Sequence, residues 1–284
     1  MKWYSKYLQV YNKSFAEFPQ TVFDVIRANI AKKQSSDPLV TVSVIGYNEE
    51  THLLACLWSL SDMICKYPIE IIGVDNDSKD KTAEIFKQCG VPYYTEHQHS
   101  CGFARLCGLN HARGEYHINI DSDTMYPPHY IEIMIDVLLK GKVVGVSSLW
   151  SYIPDEQHSS IGLFLYESMR DIYLWLQSLK RPELSVRGLV FAYKVGYAKQ
   201  VGIRTDIIRG EDGYLAFQLK QFGKIAFIHD RKARAVTGYG TVGNDGSFFN
   251  SFKIRFLNSY KHLFSLFTKK QDYKDEDSNL IQKK

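Results

Sequence analysis

Between Val40 and Ile120 the chain alternates short β-branched runs with stretches whose apolar residues recur at helical spacing, and that alternation leaves few architectures open. Val40-Thr41-Val42-Ser43-Val44-Ile45 ends at Gly46, as a strand buried on both faces should. Leu53, Leu54, Leu57 and Leu60 follow at helical spacing. Ile69-Glu70-Ile71-Ile72-Gly73-Val74 reads as a second buried strand and runs into the turn-rich Asp75-Asn76-Asp77-Ser78. Thr82, Ile85, Phe86 and Cys89 mark the next helix, with Ser78 or Asp80 placed to cap its start. Val91–Thr95 reads as a third strand and Ala104–His111 as another helix. Tyr116–Ile120 is a fourth strand, and it leads directly into Asp121-Ser122-Asp123. A doubly wound, mostly parallel α/β sheet is the fold this pattern predicts.

Around that block the chain divides into three. Residues 1–37 are aromatic and helical in pattern, closing on Lys32-Lys33-Gln34-Ser35-Ser36-Asp37-Pro38, which reads as a linker. Residues 38–238 form the expected α/β domain, and 239–284 a Gly-rich stretch followed by an aromatic, basic tail. With 284 residues, 45% of them hydrophobic, one large domain with appendages has ample core. A net charge of +4 without a long basic run argues against nucleic acid as a partner. No apolar run approaches the roughly 20 residues of a spanning helix, and Met1–Pro19 lacks the apolar segment of a signal peptide. The five cysteines, odd in number and without C-x-x-C spacing, read as reduced packing residues. The expectation is a cytoplasmic protein.

In a sheet of this kind ligands bind beyond the carboxyl ends of the strands. Three strands end in polar residues there: Gly46-Tyr47-Asn48-Glu49-Glu50, Asp75, and Asp121 with Asp123. Several acids gathered at one edge repel unless a cation or hydrogen-bond donors meet them. Magnesium or manganese shared with a diphosphate answers that need, because these ions prefer carboxylate oxygens and keep substrate phosphates in their sphere. Asp-Ser-Asp alone is also ordinary turn composition; its place after Ile118-Asn119-Ile120, together with Asp75, favours the metal.

From Val40 to Thr237 these motifs stand in the order of glycosyltransferase family 2, which the segment resembles and which has the GT-A (nucleotide-diphospho-sugar transferase) fold. Val42–Glu50 is similar to the family's opening strand and nucleotide loop, which brings Gly46, Tyr47, Asn48 and Glu49 to the nucleotide. Ile71–Thr82 is similar to its second strand, whose leading Asp, here Asp75, contacts the nucleobase. Gly102-Phe103-Ala104-Arg105-Leu106-Cys107-Gly108 resembles the helix before the metal strand, and the likeness sets Arg105 toward the nucleotide. Asp121 and Asp123 are then the metal ligands, with Ser122 among the nucleotide contacts. Arg187-Gly188 resembles the acceptor-side loop, and Gly210-Glu211-Asp212-Gly213 the Glu-Asp element that supplies the base of an inverting transfer. That role falls to Asp212, with Glu211 beside it.

The sequence departs from the family at Leu106, where an Asn commonly follows the Arg, and at Ala235-Val236-Thr237, which lacks a His used by some members as a metal ligand. The third protein ligand is therefore left open. The Q-x-x-R-W signature of processive synthases is absent. The resemblance implies a nucleotide-sugar donor, UDP by family tendency, a sugar or lipid-linked acceptor in cell-surface polysaccharide or glycolipid synthesis, and an inverting single displacement. Two rivals share the fold: a sugar-nucleotide nucleotidyltransferase, which would open with an Arg- and Lys-rich phosphate loop, and a catalytically silent nucleotide-binding protein. Duller readings stand beside the individual residues: Asp75 and Asp80 as helix caps, Arg105 as a solvated surface residue, and Glu211-Asp212 as an acidic helix start. Trp150 and Tyr152, at the end of the strand Lys142–Leu149, could stack on a sugar or pack in the core. His97, His99 and His111 fit no metal spacing. Finally, Phe249, Phe252, Phe256, Tyr260, Leu263, Phe264 and Phe267 share a helical stripe beside Lys253, Lys261, Lys269 and Lys270. This stripe either packs back on the domain or gives 248–270 a peripheral contact with the inner face of the membrane.

Overall fold

The structure is a computed structural model describing residues 2–154 and 160–238. The strands β1 (Val40–Gly46) and β2 (Ile69–Asp75) are buried along their whole length, which is why both are rich in Val and Ile, with Thr41, Ser43 and Glu70 buried among them. They pair in parallel, with Gly46 opposite Asp75, and β4 (Tyr116–Asp121) pairs in parallel on the other side of β1, with Asp121 opposite Ile45. The short β3 (Tyr93–Thr95) lies outside β2. Helices α2 (Leu53–Ser61), α3 (Thr82–Gln88) and α4 (Cys101–His111) connect these strands.

Beyond β4 the sheet changes character. β8 (Phe191–Lys194) runs antiparallel to both β4 and β6 (Val143–Ser148), and β9 (Lys224–Ile228) closes the edge parallel to β6. The seven strands lie in the order β3-β2-β1-β4-β8-β6-β9. A second sheet, β5 (Thr124–Met125), β10 (Ala235–Thr237) and β7 (Trp150–Tyr152), springs from the turn after β4, with β10 in the middle. The strand expected over Lys142–Leu149 therefore stops at Ser148, and Trp150 and Tyr152 belong to the small sheet, where both are buried. Helices α5 (Tyr130–Leu138), α6 (Ser160–Lys180), α7 (Val195–Val201) and α8 (Glu211–Leu219) complete the described chain.

The N-terminal residues are helical, as their pattern predicts, and they share the main core. α1 (Gln20–Lys33) buries Phe23, Ile26 and Ile30, and Tyr7 and Val10 enter the same cluster. The expected linker is bonded to the sheet: Gln34 exchanges side-chain hydrogen bonds with the Ile71 backbone at 2.8 and 2.9 Å, and the Ser35 N–H donates to the Ile69 carbonyl at 2.8 Å. β3 covers only the far end of β2, so this segment satisfies the backbone edge that β3 leaves open. The tail reading at 239–284 lies outside the described residues.

Candidate active site

The carboxyl ends of β1, β2 and β4 converge on one edge. Past Gly46 the chain turns through Asn48, at a φ of 53°, and is latched to the turn after β2. The Asn48, Glu49 and Glu50 N–H groups donate to Ser78 Oγ, Thr82 Oγ1 and Asp80 Oδ2 at 2.8 to 2.9 Å, and Asn48 Oδ1 accepts from the Lys79 N–H. Tyr47, half exposed, projects from this loop with its ring edge on His99, 5.2 Å between centroids. Asp75 is buried and accepts the Ser78 N–H at 3.2 Å. Asp80 takes the capping role, accepting from Thr82 N–H and Oγ1. Glu49 is engaged with His52 at 2.7 Å, and His52 reaches Asn12 of the N-terminal segment at 2.8 Å.

At the end of β4, Asp121 and Asp123 flank the buried Ser122, whose side chain lies against Gly46. Asp123 accepts from Thr124 Oγ1 at 2.9 Å, and its carbonyl accepts from the Tyr11 hydroxyl at 3.2 Å. Desolvation, then the like charges of Asp121 and Glu49, push the Asp123 carboxyl up to about 7. Such a cost is what a bound cation relieves. Among the described residues no three acid, imidazole or thiol groups converge as a closed metal cage. The two carboxylates on this turn could hold a hard ion that shares its sphere with phosphate and water. His97 and His99 instead face Asp77, and His111 stacks on Tyr94.

Arg105 is the centre of the site. It is 2% exposed, which excludes the surface reading. Its guanidinium pairs with Asp121 and lies 3.8 Å from Asp212, so it bridges the β4 turn and the start of α8. Burial works against this charge, but Asp121 and Asp212 outweigh it and hold the proton more tightly than usual. Asp212 sits in the first turn of α8 beside the buried Glu211, where the helix dipole favours acids. Burial pushes the Asp212 carboxyl up to about 8 against the pull of Arg105, with Glu211 and Asp121 adding to the rise. Gly210, at a φ of 99°, turns the chain into α8 with a conformation that other residues rarely adopt. Gly188 packs so closely on Asp212 and Arg105 that a Cβ there would overlap both side chains. The acceptor-loop motif therefore meets the Glu-Asp element directly, while Arg187 turns its guanidinium to the Leu184 and Val186 carbonyls.

Two participants escape the sequence patterns. Asn119 donates to Asp212 Oδ1 at 2.8 Å and accepts from the Tyr193 hydroxyl at 3.2 Å. The signal for Asn119 was present, a polar residue inside the otherwise apolar Ile118-Asn119-Ile120, but its partner is 93 residues away. Tyr193 lies on the antiparallel β8, which the alternating pattern does not reach.

Comparison with known proteins follows the same lines. The profile of "Glycosyl transferase family 2" matches residues 41–185, just over half of the chain. An uncharacterized glycosyltransferase of Rickettsia typhi is 32% identical over 132 residues, covering 45% of this chain and 41% of that relative. The chain thus matches less than half the length of this curated relative. A mannosyltransferase from Pyrobaculum calidifontis, solved in complex with GDP-Man and Mn2+, superposes with a TM-score of 0.56 at 19% identity, over 76% of this chain and 65% of that one. TarS of S. aureus, solved with UDP-GlcNAc, gives 0.52 at 16% identity, over 70% and 58%. At these identities the two structures speak for the fold.

Proposed function

The chain belongs to glycosyl transferase family 2 and has the GT-A fold, and on that premise we propose that it transfers a sugar from a nucleoside diphosphate sugar to an acceptor hydroxyl by an inverting single displacement. The observation that carries this reading is the Arg105 bridge, which ties the acids of the β4 turn to Asp212 across one sheet edge. The nucleotide would lie along the latched Gly46–Glu49 loop, with Asp75 at the base and Ser122 beneath the diphosphate. UDP is the family's tendency. GDP-Man and UDP-GlcNAc in the neighbouring structures support a nucleotide-sugar donor in general.

Asp123, with Asp121 directly or through water, would hold Mg or Mn; such an ion neutralises the departing diphosphate. Mn2+ in the P. calidifontis structure supports a divalent ion. Arg105 keeps Asp121 oriented and balances part of the acid charge when the site is assembled. Asp212 takes the proton from the attacking acceptor hydroxyl, and Asn119 fixes its carboxylate from one side. Once ionised, a carboxylate whose proton affinity is raised by burial takes up that proton more readily than a solvated one, so turnover should rise with pH toward about 8. The lack of a side chain at Gly188 lets the acceptor loop pack directly on this base.

The test is Asp212→Asn. Asn keeps the shape and the hydrogen bond from Asn119, but it cannot take a proton. Turnover should fall by roughly two to four orders of magnitude, the usual worth of a positioned base, with donor affinity nearly unchanged. Equal loss of donor binding would make Asp212 structural, and an active Asp212→Asn beside a dead Glu211→Gln would move the role to Glu211.

A further inference from the structure

Helix α6 sets Leu163 and Leu174 into the core and carries a second apolar row outward. Its three charged residues before Lys180 face the small sheet. Glu167 accepts from Ser151 Oγ at 2.8 Å and the Tyr152 N–H at 2.7 Å, Asp171 pairs with Arg234 at 2.5 Å, and Arg170 lies over the Trp150 ring at 4.3 Å. The outward positions carry large apolar side chains instead. Ile161, Phe164, Leu165, Ile172, Trp175 and Leu179 are between 46% and 76% exposed. With Met169, 49% exposed, between Leu165 and Ile172, they recur three and four residues apart and form one continuous stripe, roughly 27 Å long at 1.5 Å per residue. A contiguous apolar face of this size marks a surface made for a partner.

The charges around the stripe say which partner. Arg231 lines a cleft with Phe164 and Ser168, Lys232 is exposed beside it, and Lys180 ends the helix. The acids of α6 are already committed to Arg234 and to backbone, so a second copy would bring basic rim against basic rim. An apolar interior beneath a negative surface matches this arrangement, since aromatic and aliphatic side chains enter the acyl boundary while cations meet headgroup phosphates.

We propose that the outward face of α6 docks the protein on an anionic lipid bilayer. The seat has a direct mechanical link to the acid turn. β7 leads into α6, Tyr152 of β7 pairs with Thr237 of β10, and Thr237 pairs with Thr124, the residue after Asp123. Resting on the transfer reading above, this would present the site to an acceptor carried in the lipid surface.

The full-length chain is sedimented with phosphatidylcholine vesicles and with vesicles containing one third phosphatidylglycerol, with thermal melting followed in parallel. Binding should favour the anionic vesicles and weaken with salt. Ile172→Glu combined with Leu176→Glu, both at exposed positions, should cut partitioning at least tenfold at an unchanged melting temperature. A blue shift of emission on vesicle binding that disappears in Trp175→Phe would place this face at the bilayer independently of the double variant. No vesicle binding by the unaltered chain overturns the proposal. Undiminished binding by the double variant overturns it too, and assigns the contact elsewhere. A dimer without lipid binding that the double variant converts to monomer overturns it in favour of a second copy. None of these readouts uses transfer activity, so failure of the docking and failure of the reaction assignment are separable.

Discussion

Asp212 is held in the folded protein at a cost that depends on pH. Its carboxyl is pushed from 3.8 to about 8, first by burial, with Arg105 pulling the other way. Below 3.8 the folded and unfolded chains are both protonated at this residue. Between 3.8 and about 8 the unfolded chain is ionised while the folded one keeps its proton, so folding takes up a proton and stability falls as pH rises. Above about 8 the full penalty is present. Asp212→Asn removes this titration and keeps the bond from Asn119. The melting temperature of the variant, measured without metal, should therefore gain on the unaltered protein as pH is raised from about 5 to about 9. A constant difference across that range would mean that Arg105 holds Asp212 ionised throughout.

At the scale of elements, α1 is the informative case. Phe23, Ile26 and Ile30 are spaced to bury one face, and in the structure they do so within the main core. Ile26→Ala should cost about 2–5 kcal/mol, as deleting a fully buried branched side chain does. Urea unfolding should show one shifted transition; an unshifted main transition would make the N-terminal segment an independent appendage. The strands β1, β2 and β4 were legible because strands buried on both faces concentrate β-branched and aromatic residues, here with only the polar Thr41, Ser43, Glu70, His117 and Asn119 set among them before their ends. The polar residues at their ends were legible because a run that stops at Gly, Asp or Asn has reached an edge. β5 and β10, two and three residues long, are too short to carry a period, and their pairing is set by the turn after β4. α6 hides for a different reason: it carries apolar residues on both sides, Leu163 and Leu174 in the core and a second row facing outward, so periodicity does not reveal how it packs. The Arg105 bridge and the Asn119 contact depend on close approach of segments some ninety residues or more apart, which no local pattern encodes.

For the molecule as a whole, the acid edge makes the ligand-free state the less favourable one. Burial first, and then the like charges of Asp121 and Glu49, push the Asp123 carboxyl up at the end of β4. A divalent ion alone meets only two carboxylates there, and a nucleoside diphosphate alone would add negative charge to an acidic edge. Each therefore supplies what the other lacks, and their binding should be strongly cooperative. Thermal melting should shift little with manganese or with a donor added singly, and substantially with both. At about a hundred times the dissociation constant, the pair should add about 2.7 kcal/mol of stability. Asp123→Ala removes one carboxylate and part of the repulsion, so its ligand-free melting temperature should stay close to that of the unaltered chain. The cooperative shift should vanish in that variant, together with transfer. A variant that keeps the shift, or keeps turnover in chelated buffer, would remove Asp123 from the metal site.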